Sequence, residues 1–108
     1  MQIASAEWSG IEQEIAQSAF EKAYRREVEA VVAAVRTRAA HVTELEDVWR
    51  LNDFLSARRH EIDGKYDYQY PVLIFVFAQL IKEGWLQLDD LKGLADEKLV
   101  KISALVRM

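Results

Sequence analysis

Ile11 to Asp63 is a run of 53 residues without a single Gly or Pro, and a stretch that long without either helix breaker leaves room for little except helix. Ser9-Gly10-Ile11-Glu12 has the S-x-x-E form of a capping box, in which the two side chains satisfy free backbone N–H groups at a helix start. The larger apolar residues that follow, Phe20, Tyr24, Val28, Val31, Val35, Ala39 and Val42, fall in steps of 4, 4, 3, 4, 4 and 3. That is an eleven-residue period of about 3.67 residues per turn, which holds one apolar stripe on one side of a nearly straight helix. About 30 residues of helix extend roughly 45 Å, whereas a compact globule of ~100 residues has a radius of gyration of about 13 Å. The rest of so short a chain cannot cover such a stripe, and a second copy is the simplest cover. The Ala residues at 23, 30, 33, 34 and 40 let two helices approach closely, although Ala is also simply a good helix former.

Thr43-Glu44-Leu45-Glu46 repeats the capping-box form, which places a break near Val42 and a second helix from Glu44 to about Asp63. Gly64 is suited to end that helix in the left-handed conformation. The connection KYDYQYP leads to Pro71, in the first turn of a third helix. VLIFVFAQLIKEG has no strand of similar quality to pair with, and reads as a buried helix ending at Gly84. Asp89 and Asp96 are the expected caps of two further short helices, the last carrying Leu99, Ile102, Leu105 and Val106. The expected fold is all-α: a long helical stalk and second helix (1–64) forming an elongated homodimer, with a small C-terminal helical head (65–108). Val28, Val31 and Val35 of the stripe, with Val48 on the second helix, are the expected dimer contacts.

Composition removes several classes of function. A net charge of -4 argues against general nucleic-acid binding, which depends on a surplus of Lys and Arg. Cys is absent, so disulfides and thiolate chemistry are excluded. MQIASAEWSG lacks the basic and apolar regions of a signal peptide, and VLIFVFAQLI is far short of the roughly 20 residues that span a bilayer.

The helix DVWRLNDFLSARRHEIDGK sets a Trp among charges. At 100° per residue, Leu51, Phe54, Leu55 and Ile62 form its apolar stripe, while Asp53, Ser56, His60 and Asp63 lie within about 40° of Trp49. A Trp flanked by an acid and an Arg has the composition of a protein-binding hot spot; the alternative is that Trp49 packs on the stalk or on a second chain. His60-Glu61 could open a zinc-binding HExxH motif, but Gly64 stands where the second His is needed and His41 is the only other His. Glu44, Glu46 and Asp47 sit in a first helical turn, where acids favour the dipole, and read as structural. No nucleophile elbow, P-loop or dinucleotide fingerprint occurs, so neither a catalytic site nor a cofactor is expected. Tyr66, Tyr68, Tyr70, Phe75 and Phe77 read as the aromatic core of the head.

WRLNDFLSARRHEIDGKYD followed by IFVFAQL, with FEKAYRREVEAVVAAV and WS upstream, resembles the fluorescence recovery protein family of cyanobacteria over nearly the whole chain. The resemblance implies an all-helical homodimer, without cofactor or enzymatic activity, that binds the orange carotenoid protein. Such a regulator returns the photoreceptor from its red quenching form to its orange form and helps detach it from the phycobilisome. It would work in the cytoplasm, at the cytoplasmic face of the thylakoid membrane, and would prefer the red form's C-terminal domain. The family's contact patch maps onto Trp49, Asp53 and Arg59; where relatives carry His, this chain has Asn52, which keeps hydrogen bonding but cannot titrate. Phe75 and Lys101 in the head correspond to further contact positions. The other reading is a structural dimerisation module with a different protein partner.

Overall fold

The computed structural model describes residues 8–108, and its elements are α1 (Gly10–Ala40), α2 (Leu45–Lys65), α3 (Tyr70–Lys82), a 3₁₀ turn (Leu88–Leu91) and α4 (Asp96–Val106). Residues 1–7, over which the signal-peptide reading falls, lie outside the described residues. The all-α expectation holds. The first capping box forms as expected: Glu12 N–H donates to Ser9 Oγ at 3.1 Å and Ser9 N–H to Glu12 Oε1 at 3.0 Å.

The second box does not form at Thr43–Glu46. Asp47 reaches back instead, its Oδ2 accepting from the N–H groups of Thr43 and Glu44, both at 3.1 Å. One carboxylate thereby satisfies two free amides, and α2 starts at Leu45 with Glu44 as its cap. Those same N–H groups, Thr43 first, hold the Asp47 carboxyl below the usual carboxylate range.

Gly64 does not end α2. The helix continues through it to Lys65, and positive φ occurs instead at Gly84 (89°) and Gly93 (109°). Continuation carries the Lys65 ammonium between Glu27 and Glu83, at 2.7 and 2.6 Å. α3 behaves as expected, with Pro71 in its first turn and Gly84 after its end, where the Trp85 N–H donates to the Leu80 carbonyl at 2.9 Å. Neither predicted Asp cap is used. Asp90, not Asp89, accepts the Gln87 N–H at 3.0 Å, and Asp96 is the first residue of α4 behind Ala95. The Ala95 N–H is satisfied across the fold by Glu12 Oε2 at 2.8 Å.

The core sits where α3, the 3₁₀ turn and α4 close on the first half of α1. Leu73, Phe77 and Leu80 form one face of α3 and meet Leu86, Leu91 and Ile102, with Trp8, Ala16, Ala19 and Ala23 completing the cluster. The row Ala16, Ala19, Ala23 is small enough for the head to press close to the α1 backbone. Its counterpart is the row of large residues predicted from sequence, which is left partly open. α2 runs back antiparallel along the second half of α1, with Glu27 meeting Arg58 and the Arg38 guanidinium 3.8 Å above the Phe54 ring. None of the 21 residues of α2 is buried. The described chain measures 56 × 27 × 26 Å with a radius of gyration of 17.0 Å, well above the roughly 13 Å of a compact chain of this length.

Candidate functional site

α2 presents its polar face because its other side is taken. Leu51, Phe54 and Arg58 point towards α1, and Trp49, nine residues before Arg58, is rotated roughly 180° from it. Trp49 is accordingly 53% exposed. Asp53 shares this side, and Asn52 and Arg59 lie at its edge, all three exposed. From Trp49 to Arg59 the row covers about 15 Å of helix axis. Arg59 Nε stands 3.6 Å from Asp63 with 85% of its side chain exposed, and so open an ion pair holds little energy and leaves the guanidinium free to change partners. Leu55, expected in the buried stripe, is exposed, and Leu51, Phe54 and Ile62 are only half-buried.

In the head, Tyr66 and Tyr68 meet the Phe20 ring edge-on at 5.5 and 4.9 Å, and Phe77 is fully buried. Phe75 leaves this aromatic core. It is two residues from Phe77, hence roughly 160° around α3, and is 61% exposed. Together with Pro71, Ile74, Leu105 and Lys101 it lines an open groove of about 470 Å³ between α3 and α4. Lys98, at the same groove, is drawn to Glu12 at 3.3 Å and lies 4.9 Å from the Trp8 ring centroid. Lys101 is exposed on the rim. Phe75 also borders a second cleft, against His60, Glu61 and Gly64 at the end of α2. The predicted residues therefore form two groups, Trp49–Asn52–Asp53–Arg59 on α2 and Phe75–Lys101 on the head. Of these residues only Phe75 lines the second cleft, whose opposite wall is the last turns of α2 beyond Arg59.

One polar centre at this junction was not anticipated. Glu27 is fully buried on α1, and its carboxylate accepts from Arg58 Nη2 (3.0 Å), Tyr66 Oη (2.8 Å) and Lys65 Nζ, which contacts Oε1 at 2.7 Å and Oε2 at 2.9 Å. The four contacts fill the acceptor capacity of a carboxylate. Burial, and then the carboxylate to which Tyr66 donates, push the Tyr66 phenol well above its ordinary value. Lys65 continues the chain to Glu83, which also receives Gln79 Nε2 and Trp85 Nε1. Burial works against the Glu83 anion, but Lys65 and Gln79 outweigh it and hold its carboxyl below the usual range. The available signal was a carboxylate one step off an apolar stripe, in register with Ala16, Ala19 and Ala23.

The head occupies one face of the α1–α2 hairpin, over the alanine row. Val32 lies nine residues from Ala23, roughly 180° away, and is exposed. Val28, Val31 and Val35 are half-buried, with Val31 turned most towards α2. On α2, Val48, Asn52 and Leu55 are rotated roughly 60–120° from the row facing α1, in the sense that brings them to the Val28–Val35 side of an antiparallel pair. Val48 is 40% exposed. An apolar strip thus runs along the face of the hairpin opposite the head.

Among the described residues no group of His, Asp or Glu converges as a metal site would require. Glu44 and Glu46 are exposed and Asp47 is engaged at the start of α2, as its reading as structural requires. Among the described residues no helix is long and apolar enough to cross a membrane.

Comparison with known proteins bears on the whole arrangement. Residues 8–106 match the family described as photoprotection regulator fluorescence recovery protein. A fluorescence recovery protein from Synechocystis sp. is 51% identical over 108 residues, covering all of this chain and 99% of the relative. The solved structure of the Fremyella diplosiphon fluorescence recovery protein superposes with a TM-score of 0.91 at 64% identity, over 94% of this chain and 99% of that one. The Synechocystis structure superposes equally well, with a TM-score of 0.91 at 51% identity over the same shares of both chains.

Proposed function

The chain belongs to the fluorescence recovery protein family of photoprotection regulators, and we propose on that basis that it binds the photoactivated orange carotenoid protein and hastens its return to the inactive orange form. The observation that carries the reading is α2: a helix with no buried residue that holds Trp49 outward, beside charged Asp53 and Arg59. Exposed Trp and Arg are the residue types that dominate binding energy at protein interfaces. The working unit is a homodimer joined through Val28, Val31, Val35 and Val48, with the recognition face of α2 beside the joint.

A binder speeds a conformational relaxation only if it holds the transition state more tightly than the starting form. Trp49, Asp53 and Arg59 grip the carotenoid protein's C-terminal domain, exposed when its two domains separate, and the head's Phe75 and Lys101 add a second contact. Holding the domains near their docked arrangement removes part of the entropic barrier to closure. Detachment of the carotenoid protein from the phycobilisome follows from the same closure. The action is that of a binding protein without catalytic groups or cofactor, working in the cytoplasm at the thylakoid surface.

The test is to add the chain to photoactivated carotenoid protein in the dark and follow the red-to-orange absorbance change. Sub-stoichiometric chain should accelerate recovery, and the acceleration should weaken with added salt as the Asp53 and Arg59 contacts are screened. An unchanged recovery rate at excess chain would refute the reading and favour a dimerisation module for another partner.

A further inference from the structure

α1 and the head are one body, joined through the buried row Ala16, Ala19 and Ala23 and through Trp8. α2 is a different case. It buries no residue against that body, and yet it carries Trp49, Asp53 and Arg59, while the body carries Phe75 and Lys101. At the end of α2 nearest the head, its polar attachment to α1 runs through one buried carboxylate. Glu27 holds Arg58 and Lys65 of α2 and Tyr66 just beyond it, and Lys65 in turn reaches Glu83 at the end of α3. The cleft between the end of α2 and Phe75 of the head is lined by Lys65, Glu83, Phe75 and His60, so two of its lining residues are members of this network.

We propose that Glu27 is a positioning residue: by fixing the last turns of α2 against α1 and the head, it sets the spacing at which the Trp49 face and the Phe75–Lys101 groove meet one partner together. The proposal rests on the two-contact reading given above. It explains why a charged cluster is kept inside, since a buried carboxylate held in four contacts by three donor groups admits few orientations of the segments that supply them, whereas apolar contacts would tolerate sliding. Two linked contacts gain affinity through effective concentration, and lose that gain when the geometry no longer fits both.

The chain has no Cys, so Glu46→Cys and Lys82→Cys introduce unique spin labels, with labelled chains diluted in unlabelled chain. From Lys65 back to Glu46 is about 29 Å of helix, and a tilt of ~10° at the network moves the label by roughly 5 Å. Glu27→Gln should broaden or shift the label distance by that order. It should also weaken binding of the photoactivated carotenoid protein about tenfold or more, while in a Phe75→Ala background its further effect should be under about twofold, because one contact has no spacing to lose. A role confined to stability would lower the melting temperature, leave the distance unmoved, and weaken binding equally in both backgrounds; that result overturns the proposal. If either Trp49→Ala or Phe75→Ala leaves binding unweakened, the two-contact reading falls and this proposal with it. Should Glu27→Gln not fold, Lys65→Met keeps the Arg58 and Tyr66 contacts of Glu27, removes the bridge to Glu83, and is read by the same two measurements.

Discussion

Replacing Trp49 by Ala should separate recognition from folding. Trp49 is 53% exposed in the isolated chain. For an aromatic side chain of up to about 250 Å², that leaves about 130 Å² for a partner to cover, worth about 3 kcal/mol at ~25 cal/mol per Å². Buried area converts incompletely to affinity. With half realised the loss is about tenfold, and with all of it roughly 150-fold. The fold should barely respond, because Trp49 lies outside the buried cluster. A surface change of under about 0.5 kcal/mol moves the melting temperature of a domain this size by only about 2–4 °C. The assay is dark recovery of photoactivated carotenoid protein against chain concentration, with helix content and sedimentation mass measured on the same samples. The concentration giving half-maximal acceleration should rise ten- to 150-fold, roughly as that arithmetic requires, with mass unchanged. A variant that falls to single chains would place Trp49 in the contact between copies. One with an unshifted concentration dependence would remove it from the recognition surface.

Three further outcomes test other parts of the structure. Val48→Glu should convert dimers to monomers in sedimentation equilibrium, since an unpaired charge enclosed between chains costs several kcal/mol; intact dimers would move the interface elsewhere. Gly64→Ala should stabilise the protein by about 0.5–1 kcal/mol in denaturant titrations, because Gly64 is helical, its φ is not positive and nothing lies within 4 Å of an added Cβ. Burial raises the carboxyls of Glu12, Glu83 and Asp90, but their N–H and cationic partners outweigh it and hold all three below their ordinary values. Groups lowered in the folded state bind fewer protons there than in the unfolded chain, so their stabilisation is complete above the unfolded carboxylate range and is lost as pH falls through the folded values. Melting temperature should therefore decline as pH drops below about 4.5, and Asp90→Asn should flatten that decline.

The sequence by itself determined the helices, because helix rests on local chemistry. The breaker-free run, the Ser9–Glu12 box, Pro71 and Gly84 each act within a few residues, and each forms as read. The exposed side of α2 was also legible, since rotation per residue places Trp49 opposite the apolar stripe wherever the helix packs. Of the caps that failed, the Thr43 box and Asp89 lost to neighbours in the same turn, Asp47 and Asp90, and the other two were local readings overruled by distant partners. Lys65 draws α2 through Gly64 to meet Glu27 and Glu83, and Glu12 takes the N–H of Ala95 from 83 residues away. Only the tertiary structure decided that the head rests on the alanine row and takes just the Phe20–Tyr24 end of the large stripe into its aromatic cluster. It likewise decided that Phe75 turns outward while Phe77 turns in, and that Phe75 shares a groove with Lys101. It also turned Glu27, one acid among the 18 acidic residues of the sequence, into the buried meeting point of Arg58, Lys65 and Tyr66. A charge becomes a hub only when elements far apart in the chain close over it, and periodicity along one helix carries no information about what arrives from another.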